Sequence, residues 1–434
     1  MALFLDGVDG ANVFQLTGPR EAVTESRARD LLAAVVCSSE PTHLKLSNKS
    51  FSESSARVLA VELQERCRSV VCADLSDIIA GKSEEEALEV LRIICDSLGG
   101  CALQDLNLSD NALGRPGVLA CQAVLSGKAL RKLYVCNDGL SAEASETLFE
   151  ILSKDGMPAL SVFHFYNNMS GDGGAVAIAG LVRACPELVD FRFSATRAQR
   201  PGCLAVAQAL TTLTSLTSLD LGDCMFAGEA AALLGQTLEK QMALTSLNLR
   251  DSGLGSEGIV IVVKALEAGP GRGLKLLDVS GNDIESDNVE HLARFLANMP
   301  LLEELSLDDN CIESEGMALL ARNLAKCPAL RTLTACTCEV TAGGAYRLAC
   351  ALAKIPAFTL LRLDGNSICE RGVEEVKSLL LRHGKVLVDM EDNDEEGDDD
   401  LDDALEEEEE EECGGGDGDD EVDDLGAKMG AVAI

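Results

Sequence analysis

Tryptophan is absent from this 434-residue chain, and aromatic residues of all kinds make up only 3% of it. A core must therefore be filled by Leu, Val, Ile and Ala, small uniform side chains that suit one layer stacked many times. No apolar run is long enough to cross a bilayer. Asp6 and Asp9 interrupt the short apolar start and no basic residue precedes it, so a secretory signal is not expected either. The 17 cysteines are odd in number and follow no spaced framework. That argues against a disulfide scaffold and for free thiols in a reducing compartment.

Catalytic constellations are missing as well. His43, His164, His291 and His383 form no metal-binding array, and Cys336 with Cys338 is a lone close pair that no second pair completes into a zinc site. There is no G-x-x-x-x-G-K-[ST] and no G-x-S-x-G between a strand and a helix. Gly269-Pro270-Gly271-Arg272-Gly273 reads as a helix-to-strand loop, the wrong order for a phosphate cradle. The expectation is a protein with no metal, no cofactor and no hydrolytic chemistry of its own.

Basic residues are outnumbered two to one, 36 against 73, and the formal charge is −37. Residues 391–424 hold 23 acids and no base, which leaves −14 for the rest of the chain. Duplex nucleic acid and anionic membranes are poor partners for such a surface, because phosphate binding needs Lys and Arg. A basic protein surface suits it better.

What the sequence does have is repetition. Leu106-Asn107-Leu108-Ser109-Asp110-Asn111-Ala112-Leu113 fits L-x-L-x-x-N-x-L, and Leu277–Ile284, Leu305–Ile312 and Leu361–Ile368 repeat it. Aligned copies begin at Leu44, Ala73, Leu106, Leu133, Phe163, Phe191, Leu219, Leu247, Leu277, Leu305, Leu333 and Leu361, mostly about 28 residues apart. About twelve leucine-rich repeats of the long, ribonuclease-inhibitor-like type follow. The fold class is α/β: a solenoid with parallel strands on the concave face and helices on the convex face. Strands stack about 4.8 Å apart and helices roughly 8–10 Å apart, so the array must bend into a horseshoe. Residues 1–40 are expected to cap its N-terminus, with a helix from Ala22 to Val36. The repeats occupy 41–388, and 389–434 is expected to be a disordered acidic tail.

Two rows within the repeats carry polar residues. The sixth position holds Asn111, Asn168, Asn282, Asn310 and Asn366, with Cys224 and Cys338 in two other copies. A small polar side chain there can hydrogen-bond the turning backbone. Just before it, Asp77, Asp110, Asp223, Asp251, Asp308, Asp309 and Asp364 form an acidic edge. That edge would steer a basic partner, more weakly as salt rises.

Beyond the generic repeat, several strings are more specific: Ala73-Asp74-Leu75-Ser76-Asp77-Ile78-Ile79-Ala80-Gly81-Lys82, Leu106 to Gly114, Leu133 to Leu140, His164 to Gly173, and Gly18-Pro19-Arg20-Glu21. In these the chain resembles RanGAP, the family of GTPase-activating proteins of the small GTPase Ran, and especially its plant members. The resemblance runs from residue 15 to about 395. It implies an activator rather than an enzyme in its own right: Ran-GTP, with or without a Ran-binding protein, is the partner, and Ran itself holds GTP and Mg²⁺. It implies a role in nucleocytoplasmic transport and a cytoplasmic, at most perinuclear, location.

Many activators insert an arginine finger worth roughly 10³–10⁵ in rate, whereas this family relies on an asparagine that positions Ran's glutamine. The matching residue is Asn137, in Cys136-Asn137-Asp138-Gly139. The resemblance further implies contacts from Lys82, Asp77, Asp110, Asn111, Asp138, Asn167 and Asn168. Lys82 stands where many members have Arg, and so keeps the charge without the bidentate fork. Plant members usually also carry an N-terminal domain, named for a Trp-Pro-Pro motif, that anchors them at the nuclear envelope. This chain has no Trp and only about 15 residues before the shared segment, which leaves that anchoring in doubt. The competing reading is a non-catalytic leucine-rich-repeat scaffold whose acidic tail binds basic proteins.

Overall fold

The computed structural model describes residues 12–37, 40–269, 271–388, 390, 392–394, 397 and 400–406. Within them, 14 parallel strands form one sheet in strict sequence order, each followed by a return segment that is helical in the repeats. Every strand is three residues long, and its central residue is the core residue. Leu106 pairs with Leu133, Leu133 with Phe163, and so on to Leu361 with Leu387. The motif starts read from sequence are therefore the sheet's register, as a two-residue side-chain period requires.

Two strands extend the array beyond the twelve repeats. Val13–Gln15 pairs with His43–Lys45, placing Phe14 fully buried against Leu44. Val386–Val388 closes the other end. The N-terminal segment is thus an added turn of the solenoid as well as a cap. Its helix is shorter than expected, Glu25–Ala33, because Thr24 caps it and Ala22 and Val23 lie in a strand, Glu21–Val23, paired with Lys49–Phe51.

The scarce aromatics are concentrated in one place. Phe163, Phe165, Phe191 and Phe193 form two stacked columns, with centroids 6.3 Å apart for Phe163–Phe191 and 6.0 Å for Phe165–Phe193. These wide rings fill adjacent layers of the middle repeats, where offset stacking adds to their burial.

The sixth-position residues form the ladder that the composition called for. Each donates to a carbonyl of the preceding repeat: Asn111 to Leu75, Asn168 to Val135, Asn282 to Leu249, Asn310 to Val279 and Asn366 to Ala335. Cys224, Ser252 and Cys338 do the same, to Phe193, Leu221 and Leu307. The asparagine oxygens accept backbone N–H groups in return, as Asn310 does from Asn282 and Ile284. A sharp turn buried between layers is thereby satisfied from both sides.

At the C-terminal end, the described start of the expected acidic tail is folded. Asn393 accepts the N–H of Asn366, prolonging the ladder, and residues 401–406 are helical with Leu401 and Ala404 fully buried. Asp400 accepts from Gly343 N and Thr341 Oγ1, capping the helix Ala342–Ala353, and Asp402 pairs with Arg371 at 2.6 Å. Local apolar residues and helix-end amides overcome the charge here. Residues 407–434 lie outside the described residues.

Replacing Asn310 with Ala leaves several buried backbone groups unpaired and should cost about 3 kcal/mol, read as a lowered urea midpoint. A Cβ at Gly343 would lie 2.7 Å from Asp400 Oδ2 and 2.8 Å from Asp400 O. Gly343→Ala should therefore expose the 400–406 segment to limited proteolysis at sites protected in the parent protein.

Candidate functional site

The residue before each ladder position shares one backbone conformation. Asn48, Asp77, Asp110, Asn137, Asn167, Ala195, Asp223, Asp251, Asp309 and Thr337 all have φ between 50° and 63°, and Gly281 and Gly365 fill the same place. Left-handed backbone favours Gly, Asn and Asp. Much of the acidic edge is explained by that preference alone. The conformation also turns most of these side chains outward, Asp77 excepted, so the strand-to-helix loops present a rim.

On the rim of the third to fifth repeats these side chains join. Asn137 Nδ2 donates to Asp110 Oδ1 at 2.9 Å, and Asn167 Nδ2 donates to Asn137 Oδ1, also at 2.9 Å. All three residues are exposed. The chain of bonds fixes the Asn137 amide while leaving its second N–H and second lone pair facing outward. Such an amide can donate and accept at once, and is suited to hold another amide in one orientation.

The other predicted contacts divide. Asp77 is buried and held by Arg20 at 2.7 Å. Lys82 does not project freely: its side chain is 15% exposed and its Nζ sits 3.5 Å from Glu86. Asp77, Lys82, Asp110 and Asn111 nevertheless line one cleft of about 570 Å³ with Arg20 at its mouth and Leu88, Leu91 and Leu113 in its wall. Asn111, Asn168 and Asp138 are buried in the ladder, so they position the rim rather than touch anything beyond it.

Three residues missed in the sequence reading belong to this region. Arg20 arrives from the N-terminal segment, at a sequence distance no local pattern covers. Tyr166 and Met169 are the only large apolar residues among the described ones that are exposed on a strand-to-helix loop; the others lie on helices, at the ends or in return loops. Met169 Cε sits over Gly139, 3.9 Å from where its Cβ would be. Together they place an apolar contact beside the Asn137 amide.

Below the rim, His164 Nε2 lies 3.0 Å from Asp190 Oδ2, edge-on to Tyr134 at 4.8 Å. Burial pushes the Asp190 carboxyl up, but His164 and Arg192 outweigh it and hold it low. Burial, Asp105 and Asp190 raise the Tyr134 hydroxyl to about 12. Among the described residues no group of three or more His, Cys, Asp or Glu is placed to hold a metal, and no helix is long and apolar enough to cross a membrane.

Because residue 137 needs left-handed backbone, Ala and Gly there separate conformation from chemistry. Asn137→Ala should lower stability by about 1 kcal/mol, whereas Asn137→Gly should fall within about 0.5 kcal/mol of the parent. Equal losses in denaturant titrations would contradict the conformational account.

Comparison with known proteins agrees with this architecture. The family model described as Leucine Rich repeat matches residues 241–260 and 298–321. Over 130 residues the chain is 37% identical to RAN GTPase-activating protein 1 of Arabidopsis thaliana, covering 29% of this chain and 24% of that protein. Over 125 residues it is 41% identical to RAN GTPase-activating protein 2 of the same plant, covering 27% and 22%. Each match thus spans less than a quarter of the plant relative's length. Ribonuclease inhibitor of Mus musculus is 24% identical over 301 residues, 66% of this chain and 55% of that one. An internalin structure from Listeria monocytogenes covers 88% of each chain at 14% identity with a TM-score of 0.47. The chain is a leucine-rich-repeat solenoid with local similarity to plant Ran GTPase-activating proteins.

Proposed function

We propose that this chain accelerates GTP hydrolysis on Ran, acting as an activator while Ran supplies nucleotide, Mg²⁺ and the glutamine that orients water. The observation that carries the reading is the Asp110–Asn137–Asn167 relay, in strings that resemble the family and in a chain 37% and 41% identical over local segments to two proteins of that activity. Asn137 is the residue assigned to the glutamine. Its carbonyl and amide are already oriented by Asn167 and Asp110, so little freedom remains to be lost when it meets the glutamine. Arg20, Lys82 and the cleft wall supply docking, with Tyr166 and Met169 as apolar contacts. No arginine of this chain is asked to reach the nucleotide. A role in nucleocytoplasmic transport in the cytoplasm follows from the activity and belongs to the same proposal.

The acidic rim serves encounter rather than chemistry. Asp110, Asp223 and the pairs around Arg250 give it a field that attracts a basic surface and fades with salt.

The experiment is single-turnover phosphate release from Ran·GTP with parent protein and variants. Asn137→Gly should lower the stimulated rate about 100-fold, about 2.7 kcal/mol of barrier, with little change in the concentration needed for half-maximal effect. Met169→Asp should do the reverse, raising that concentration with the maximal rate kept. An unaffected Asn137→Gly variant removes the site assignment; no stimulation by the parent protein removes the function.

A further inference from the structure

Asp138 occupies the ladder position of its repeat, where an ionised carboxylate would bring no donor. It is fully buried. Its Oδ1 accepts the Asn111 N–H at 2.9 Å, as the asparagine oxygens of the ladder do. Its Oδ2 is buried with no hydrogen-bond partner. In eight other repeats the corresponding side chain donates to a carbonyl of the preceding repeat: five asparagines, two cysteines and a serine. A carboxylate in that place faces acceptors with an acceptor. A carboxylic acid does not.

We propose that Asp138 is a neutral acid in the folded protein, its Oδ2 proton taking the place of the ladder amide, and that this proton positions the Asn137 relay. The geometry links the two directly. Asp138 ties its own loop to the Asn111 backbone, while the adjoining pair, Asn137 and Asp110, is joined at the rim by the 2.9 Å bond. Losing the proton would set a charge against carbonyls and against Asp110, loosening the two loops that hold the relay. The titratable groups facing Asp138 are Asp110 on the neighbouring loop, Cys121 at the end of Gly114–Ala120 and Cys136 on its own loop; none is a cation. Burial, with Asp110 adding to it, pushes the carboxyl well above the usual range against the pull of the Asn111 and Leu113 N–H groups. The consequence for hydrolysis rests on the Ran reading; the proton and its hold on Asn137 do not.

The sign follows from linkage. An acid whose folded pKa is raised stabilises most below the ordinary carboxylate range, and that stability is lost as pH rises through the folded value. Thermal unfolding of the full chain, measured from pH 4.5 to 9 for the parent, Asp138→Asn and Asp138→Ser, isolates the group as a difference. Both variants keep a neutral donor, and serine already fills this place at Ser252. The parent should lose ground to the Asn variant as pH rises, by about 3 °C or more at the alkaline end. The Asn137 side-chain amide signal, followed by selective isotope labelling, should shift with pH over the same range in the parent only. Parallel unfolding curves, or an Asn variant less stable than the parent throughout, overturn the neutral acid. An Asn137 signal that ignores the transition overturns the positioning role. Neither readout involves a GTPase, so failure here and failure of the Ran reading are distinguishable.

Discussion

The constraint on which the structure depends is the buried turn between each strand and its helix. A three-residue strand gives way at once to a backbone running the other way, and its N–H and C=O groups are sealed between layers. In most repeats one side chain resolves this: it accepts N–H groups of the preceding layer and donates to carbonyls of that layer and of its own. Asn does both with one amide, which is why it recurs; Cys224, Ser252 and Cys338 make the donation to the preceding repeat in its place. The residue before it must be left-handed for the ladder side chain to point inward, and so its own side chain points out. Ladder and rim are two consequences of one turn.

The proposed site lies where that arrangement is least uniform. In the third to fifth repeats the outward residues Asp110, Asn137 and Asn167 bond to one another instead of standing alone, while Asp77 in the second is covered by Arg20. The same repeats hold a buried acid in the ladder, a lysine laid along its own helix, and an arginine brought across from the N-terminal segment. In the later repeats the irregularity fades. There Arg250 draws Asp251, Asp308 and Asp309 onto itself, one cation against three carboxylates, so the rim is partly offset from within and stays acidic.

Much of the fold was legible because the repeat is its own alignment. The positions from Leu44 to Leu361 fixed register, strand face and ladder without any distance information. The site was legible only in part. Asn137 and its neighbours could be listed, but Asp138 was expected to contact the partner beside Asn137, and it is buried in the ladder while Asn137 is exposed. Arg20 escaped because its partner Asp77 lies 57 residues away. The beginning of the acidic segment was misjudged from charge, since Leu401 and Ala404 are too few to alter composition yet enough to anchor a helix end.

The central claim is that this rim acts on Ran loaded with GTP. The most direct measurement is phosphate release from excess Ran·GTP with a catalytic amount of the protein, set beside Ran·GTP alone. The account predicts that the whole Ran pool is hydrolysed far faster than by itself, each molecule of the protein serving many of Ran. Release at Ran's unassisted rate, with the protein shown to be folded, would contradict it.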